Sequence, residues 1–320
     1  MEIIKLKAAL KDYIWGGTAL KNRFGKQTLL PRVAESWELS CHPDGESVIT
    51  GGQYDGLSLS EYIKKCGDEV LGTNCRRFDF FPVLIKLIDA KSDLSIQVHP
   101  DDEYALRTEG GYGKTEMWYV VDCEPGAKLY CGFSRSISKE QFEELIAKGT
   151  LESALNEVPV KKGDVFFIKA GTIHAIGAGI LIAEIQQNSN TTYRVYDYGR
   201  VGADGKPREL HIQKALDVTI TQAAPPIGSA EKEYQVLDGC QKRCLSRCDY
   251  FTVHEYLITK QASLNADKSS FHSLLCIEGE GMVENGGQVV RISRGDSLFV
   301  PAGFGEYRVT GNLTMLHTTV

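Results

Sequence analysis

Four short segments carry the side chains able to do chemistry. The first is Leu94-Ser-Ile-Gln-Val-His-Pro-Asp-Asp102. Alternate strand residues share a face, so Ser95, Gln97 and His99 point the same way. The second, Gly113-Lys-Thr-Glu-Met-Trp-Tyr-Val-Val121, puts Lys114, Glu116 and Trp118 on one face by the same period. A lysine or glutamate buried there is costly unless paired or metal-bound. The third is His174, just after an Ala-Gly turn. Gln97, His99, Glu116 and His174 together supply an amide, a carboxylate and two imidazoles from three strands. Such mixed donors suit a borderline divalent ion such as Zn²⁺, with a position open for water or substrate. The fourth runs from Leu181 to Asp197, a buried strand that turns polar at Glu184 and Gln186, then Tyr193-Arg-Val-Tyr196. Arg194 and Tyr196 share a face. An arginine rising beside a metal site is suited to stabilise an oxyanion or hold a phosphate.

The elements that must position these groups are mostly strands. Short β-rich runs at 83–88, 94–98, 117–121, 165–168, 180–185, 193–196, 251–258 and 297–300 lie between Gly, Pro, Asn and Asp. That pattern indicates a sandwich or barrel rather than βαβ units. Helices are insertions. Ser138 and Gln141 form a capping-box pattern before Phe142, Leu145 and Ile146, with Gly149 closing the helix. Ser58 with Glu61 starts a second helix, burying Leu59, Tyr62 and Ile63, and a third spans 212–218.

An internal repeat recurs at a spacing of 132 residues: Gly163-Asp-Val-Phe-Phe-Ile-Lys-Ala-Gly-Thr-Ile-His174 against Gly295-Asp-Ser-Leu-Phe-Val-Pro-Ala-Gly-Phe-Gly-Glu306. Two copies of one unit predict a mainly β chain of two similar β-barrels in tandem with a few inserted helices. Residues 222–231 read as a linker, so the expected domains are 1–225, carrying the catalytic residues, and 226–320, without a metal site. In the second copy Glu306 replaces His174. His254 and His272 are not expected to form a second metal site.

Composition excludes other classes. Net charge is 36 − 42 = −6, which argues against a nucleic-acid-binding surface while allowing a local basic pocket. Nine cysteines do not form an even, secreted framework, and Cys240, Cys244 and Cys248 are expected as incidental thiols. The N-terminal stretch lacks an apolar signal-peptide region. The longest uncharged apolar stretch, 176–183, is far short of the ~20 residues a membrane span needs. A reduced cytoplasmic protein, monomeric or weakly homodimeric and unattached to membranes, is the expectation.

At these residues the chain resembles the type I phosphomannose isomerases, in the short bacterial form of that family within the cupin superfamily. The likeness runs through Trp15-Gly-Gly17, Glu35-Ser-Trp-Glu-Leu-Ser-Cys-His-Pro43, Phe81-Pro-Val-Leu-Ile-Lys-Leu-Ile-Asp89, the segment at 95–102, Gly113-Lys-Thr-Glu-Met-Trp118, Gly171-Thr-Ile-His174 and Gln186 through Asp197. It implies tandem cupin barrels and one Zn²⁺ per chain on Gln97, His99, Glu116 and His174. It also implies interconversion of mannose 6-phosphate and fructose 6-phosphate through a cis-enediolate. Lys114 is the first candidate for the proton-transferring base and Glu184 the competing one. His99 is less suited, because the metal occupies one nitrogen. Arg194 would stabilise the enediolate, and Ser95 would orient the substrate or contact its phosphate. Two other classes share the fold: an Fe(II) oxygenase and a non-catalytic sugar-phosphate-binding module.

Overall fold

The computed structural model describes residues 1–202, 205–225 and 233–320. Contacts gather into two units. One joins Met1–Lys11, Thr18–Leu87 and Ser229–Val320; the other joins Asp12–Gly17 and Ile88–Gly228.

The second of these units holds all the candidate chemistry. In one of its sheets Glu116–Cys123 lies between Val165–Ile168 and Ile180–Gln187, antiparallel to both. The other sheet runs in the order Tyr193–Tyr196, Ile96–Val98, His174–Ile176, Lys128–Phe133, Leu155–Pro159. Alternation decides which side chains face the site. Ile96 and Val98 are buried in a cluster with Phe133, Phe142, Tyr193, Val195, Ala215 and Leu216, which leaves Gln97 on the opposite face. Helices Lys139–Ala147 and Ile212–Val218 supply Phe142, Ala215 and Leu216 to that cluster. The first has the expected capping box: Gln141 N–H donates to Ser138 Oγ at 3.2 Å, and Ser138 N–H to Gln141 Oε1 at 2.9 Å. Full burial of Phe142 contributes about 1.5–3 kcal/mol, which anchors the helix on the sheet.

The other unit holds a ten-stranded sheet, and its Ala9–Lys11 pairs antiparallel with Glu35–Leu39. Residues 1–225 are expected from sequence to form one domain, yet by contacts residues 1–11 and 18–87 gather with 229–320. Long-range pairing is the reason. Ile4–Lys7 adds to Ser297–Val300 on one side and to Val48–Thr50 on the other. Residues 226–231 of the expected linker lie outside the described residues. All nine cysteines are free. No helix among the described residues is long and apolar enough to cross a membrane.

The repeat extends to strand register. Ile168 faces Glu116, and its counterpart Val300 faces His272. Glu184 pairs with Trp118, while His317 pairs with Leu274. His272 and His317 therefore stand at the places of Glu116 and Glu184. Glu306, in His174's place, is exposed; its neighbour Tyr307 is buried, its hydroxyl 2.7 Å from His272 Nδ1. The ring centroids of His272 and His317 are 4.4 Å apart.

These two imidazoles make the C-terminal sheet acid-labile. Burial lowers His272 to about 4 and holds His317 well below the usual histidine range. In the unfolded chain both take up protons near pH 6.5. Their stabilisation is complete above that pH and is lost as pH falls toward 4, with a combined slope of up to about 3 kcal/mol per pH unit. Equilibrium urea unfolding at pH 7, 6 and 5 should show the midpoint falling. His317→Leu should reduce the slope by up to about 1.4 kcal/mol per pH unit; an unchanged slope would refute the assignment.

Candidate metal centre

Glu116 begins the strand Glu116–Cys123, His174 begins His174–Ile176, and His99 follows Ile96–Val98. One donor atom from each lies within 4.8 Å of the others, and all three residues are buried. Glu116 Oε1 is 3.4 Å from His174 Nε2, and Glu116 Oε2 is 3.7 Å from His99 Nε2. Backbone carbonyls set both tautomers. His99 Nδ1–H donates to Thr191 O at 2.8 Å and His174 Nδ1–H to Thr172 O at 2.9 Å. Each Nε2 therefore keeps its lone pair toward the carboxylate. Burial first, with Lys114 adding to it, lowers His174 to about 4, so its imidazole is neutral near pH 7.

Lys114 enters this cluster from the loop before Glu116. Its Nζ is 2.9 Å from Glu116 Oε2, 3.2 Å from His99 Nε2 and 3.7 Å from Glu184 Oε1. The loop is held tightly. Lys114 N–H donates to Pro100 O at 3.0 Å, and Gly113 N–H to Asp102 Oδ1 at 2.8 Å. Gln187 ties both ends, accepting from Thr115 N–H and donating to Asp102 Oδ1, each at 2.8 Å. A Cβ on Gly113 would lie 2.4 Å from the Asp101 carbonyl carbon, so no larger residue fits there without moving backbone at 100–102.

The residues fit a divalent ion: two imidazoles and a carboxylate converge, and the outer ring nitrogens are already bonded to carbonyls. Gln97 is beside them but differently turned. Its Nε2 is 3.3 Å from His174 Nε2, and its Oε1 accepts from Ser95 Oγ at 3.3 Å. The close donor set is thus His99, Glu116 and His174, with Gln97 adjoining.

Two sequence profiles match the chain, "Phosphomannose isomerase type I, catalytic domain" over residues 3–118 and "Mannose-6-phosphate isomerase, cupin domain" over 241–320. Mannose-6-phosphate isomerase ManA of Bacillus subtilis is 39% identical over 314 residues, covering 97% of this chain and 96% of that one. The chain belongs to the type I phosphomannose isomerases. Mannose-6-phosphate isomerase of Streptococcus mutans is 36% identical, with 98% and 97% of the two chains covered. The crystal structure of the mannose 6-phosphate isomerase from Bacillus subtilis superposes with a TM-score of 0.93 over all of both chains, at 35% identity. Phosphomannose isomerase from Salmonella typhimurium, 20% identical with a TM-score of 0.80 over 99% of both chains, shares the fold.

In this phosphomannose isomerase fold, Glu184 and Arg194 complete the face. Glu184 Oε1 approaches Lys114, while Glu184 Oε2 accepts from Trp118 Nε1–H at 2.9 Å. Arg194 pairs in register with Gln97, so it rises next to the donors rather than among them. Its Nη1 donates to Glu209 O at 2.9 Å, and burial, then Arg208, press its pKa below the usual arginine value. Arg200 and Arg208 both bond Asp197. Sequence patterning brought together Ser95, Gln97, His99, Lys114, Glu116, His174 and Glu184 as observed. It assigned nothing to the anchoring carbonyls of Thr172 and Thr191, or to Gln187. Backbone acceptors leave no trace in residue type; Gln187 was legible only as part of the polar run after Glu184.

Proposed function

We propose that this protein interconverts mannose 6-phosphate and fructose 6-phosphate, using one Zn²⁺ held by His99, Glu116 and His174 with Gln97 as fourth donor. The observation that carries the reading is Lys114, buried at hydrogen-bonding distance from Glu116 and His99 and facing Glu184, in a chain of this family. A bound zinc ion would polarise the C1 and C2 oxygens and lower the cost of enediolate charge.

The chain's own residues do the rest. In the aldose-to-ketose direction the C2–H bond of the open-chain sugar breaks and a C1–H bond forms, while a hydroxyl proton passes from O2 to O1. Lys114, as the amine, takes the proton from C2 and returns it to C1. Glu184 Oε1, 3.7 Å away, accepts and returns the proton that Lys114 must exchange. Arg194 stabilises the enediolate oxygens, and Ser95 orients the sugar or its phosphate. A small sugar phosphate is the partner; nucleic acid and membrane are not. The protein is read as a cytoplasmic monomer or weak homodimer.

A coupled assay on mannose 6-phosphate tests the reading. Metal-replete protein should form fructose 6-phosphate, chelation should abolish it, and added Zn²⁺ should restore it. No product from metal-replete protein would overturn the isomerase. Chelator-resistant turnover would overturn the zinc.

A further inference from the structure

We propose that Trp118 is a positioning residue that fixes the rotamer of Glu184 and thereby the face its carboxylate presents to Lys114. The inference rests on the reading of Lys114 and Glu184 as the proton-transferring pair. Trp118 is fully buried, and its only polar group, Nε1–H, donates to Glu184 Oε2 at 2.9 Å. The two residues are direct partners across Glu116–Cys123 and Ile180–Gln187, so the backbone ladder sets their separation. With Oε2 engaged by the indole, Oε1 is the oxygen left toward Lys114 Nζ. The same ring meets His174 edge to face, with centroids 5.2 Å apart, so it packs against a donor on one side while it bonds Glu184.

The repeat supplies an independent observation. At Trp118's place the C-terminal copy carries Leu274, and opposite it stands His317 instead of Glu184. Leu274 is fully buried like Trp118. An apolar filler is therefore sufficient at this register where no carboxylate faces it. The N–H donor occurs in the copy that has the carboxylate. An indole N–H hydrogen bond to a charged acceptor is stronger than a neutral one and directional, which suits holding a carboxylate in one rotamer.

The test keeps the ring and removes the donor. In metal-loaded Trp118→Phe, kcat on mannose 6-phosphate should fall about 30-fold, less than the roughly 10²–10⁴-fold expected for loss of an acid–base group itself, because Trp118 acts only through Glu184. KM and bound zinc per chain should stay within about twofold, since the altered contact acts on proton transfer and not on uniform binding. Trp118→His, which restores a ring N–H, should recover part of kcat. Glu184→Gln should erase the dependence: Trp118→Phe/Glu184→Gln should be no slower than Glu184→Gln alone. Wild-type kcat in Trp118→Phe, or losses that multiply in the double variant, would overturn the proposal. Loss of zinc or of fold in Trp118→Phe, unrelieved in Trp118→His, would also overturn it, in favour of packing alone. If wild-type enzyme turns over, Glu184→Gln is slow and Trp118→Phe matches wild type, only the Trp118 proposal fails. An inactive wild type overturns both readings.

Discussion

Lys114→Ala is expected to lower kcat for mannose 6-phosphate by about 10²–10⁴-fold while the chain still binds zinc. Lys114 is buried, and its Nζ lies within 3.7 Å of a glutamate on the donor set and a second glutamate on the neighbouring strand. Its backbone is pinned by Pro100 O, so the truncation leaves the strand entry in place. The donor atoms of His99, Glu116 and His174 belong to other residues and keep their anchors in Thr191 and Thr172. Metal binding and proton transfer are therefore separable. Lys114→Arg should not rescue, because a guanidinium stays protonated and cannot serve as a base near neutral pH. The measurement is steady-state kinetics alongside zinc content. Near-normal kcat in zinc-loaded Lys114→Ala would move the base to Glu184, where Glu184→Gln is the paired experiment.

What sequence could show here follows the range of each interaction. The period-2 faces of Ser95, Gln97, His99 and of Lys114, Glu116, Trp118 are local, and the structure reproduces them because Ile96 and Val98 have a helix-covered core to fill. The capping boxes at Ser138 and Ser58 are equally local and form as read. The 132-residue repeat proved to carry strand register as well as sequence, which is why His272 and His317 can be matched to Glu116 and Glu184. The grouping of the N-terminal strands was not legible. Ile4 pairs with Phe299, and nothing in either segment names the other across that separation. The long hairpin formed by His272–Asn285 and Gln288–Ser293 also escaped, because its polar and Gly-rich outer half lacks clean alternation. Trp118 was placed on the correct face, but its bond to Glu184 depends on inter-strand register, which one strand's sequence does not encode.

His174→Ala should remove bound zinc at micromolar metal and lower isomerase activity by at least about 10³-fold. His174 is fully buried and presents a neutral Nε2 to Glu116, its Nδ1–H already spent on Thr172 O. Alanine deletes one of the three close donors, at the start of the strand His174–Ile176. Disturbing a partner behind a metal ligand typically costs about 10–100-fold in affinity, and deleting the ligand itself should exceed that. Gln97→Ala is the informative contrast. Gln97 gives its amide nitrogen to His174 and its oxygen to Ser95, so removing it should weaken zinc by about 10–100-fold without abolishing binding. Zinc titration of the apo-protein by calorimetry ranks the two. Equal, complete loss in both variants would make Gln97 as necessary to the ion as His174, and unchanged affinity in Gln97→Ala would remove it from the proposed donor set. Retained stoichiometric zinc in His174→Ala would instead mean that the ion sits elsewhere, and the roles given to His99 and Glu116 would fall with it.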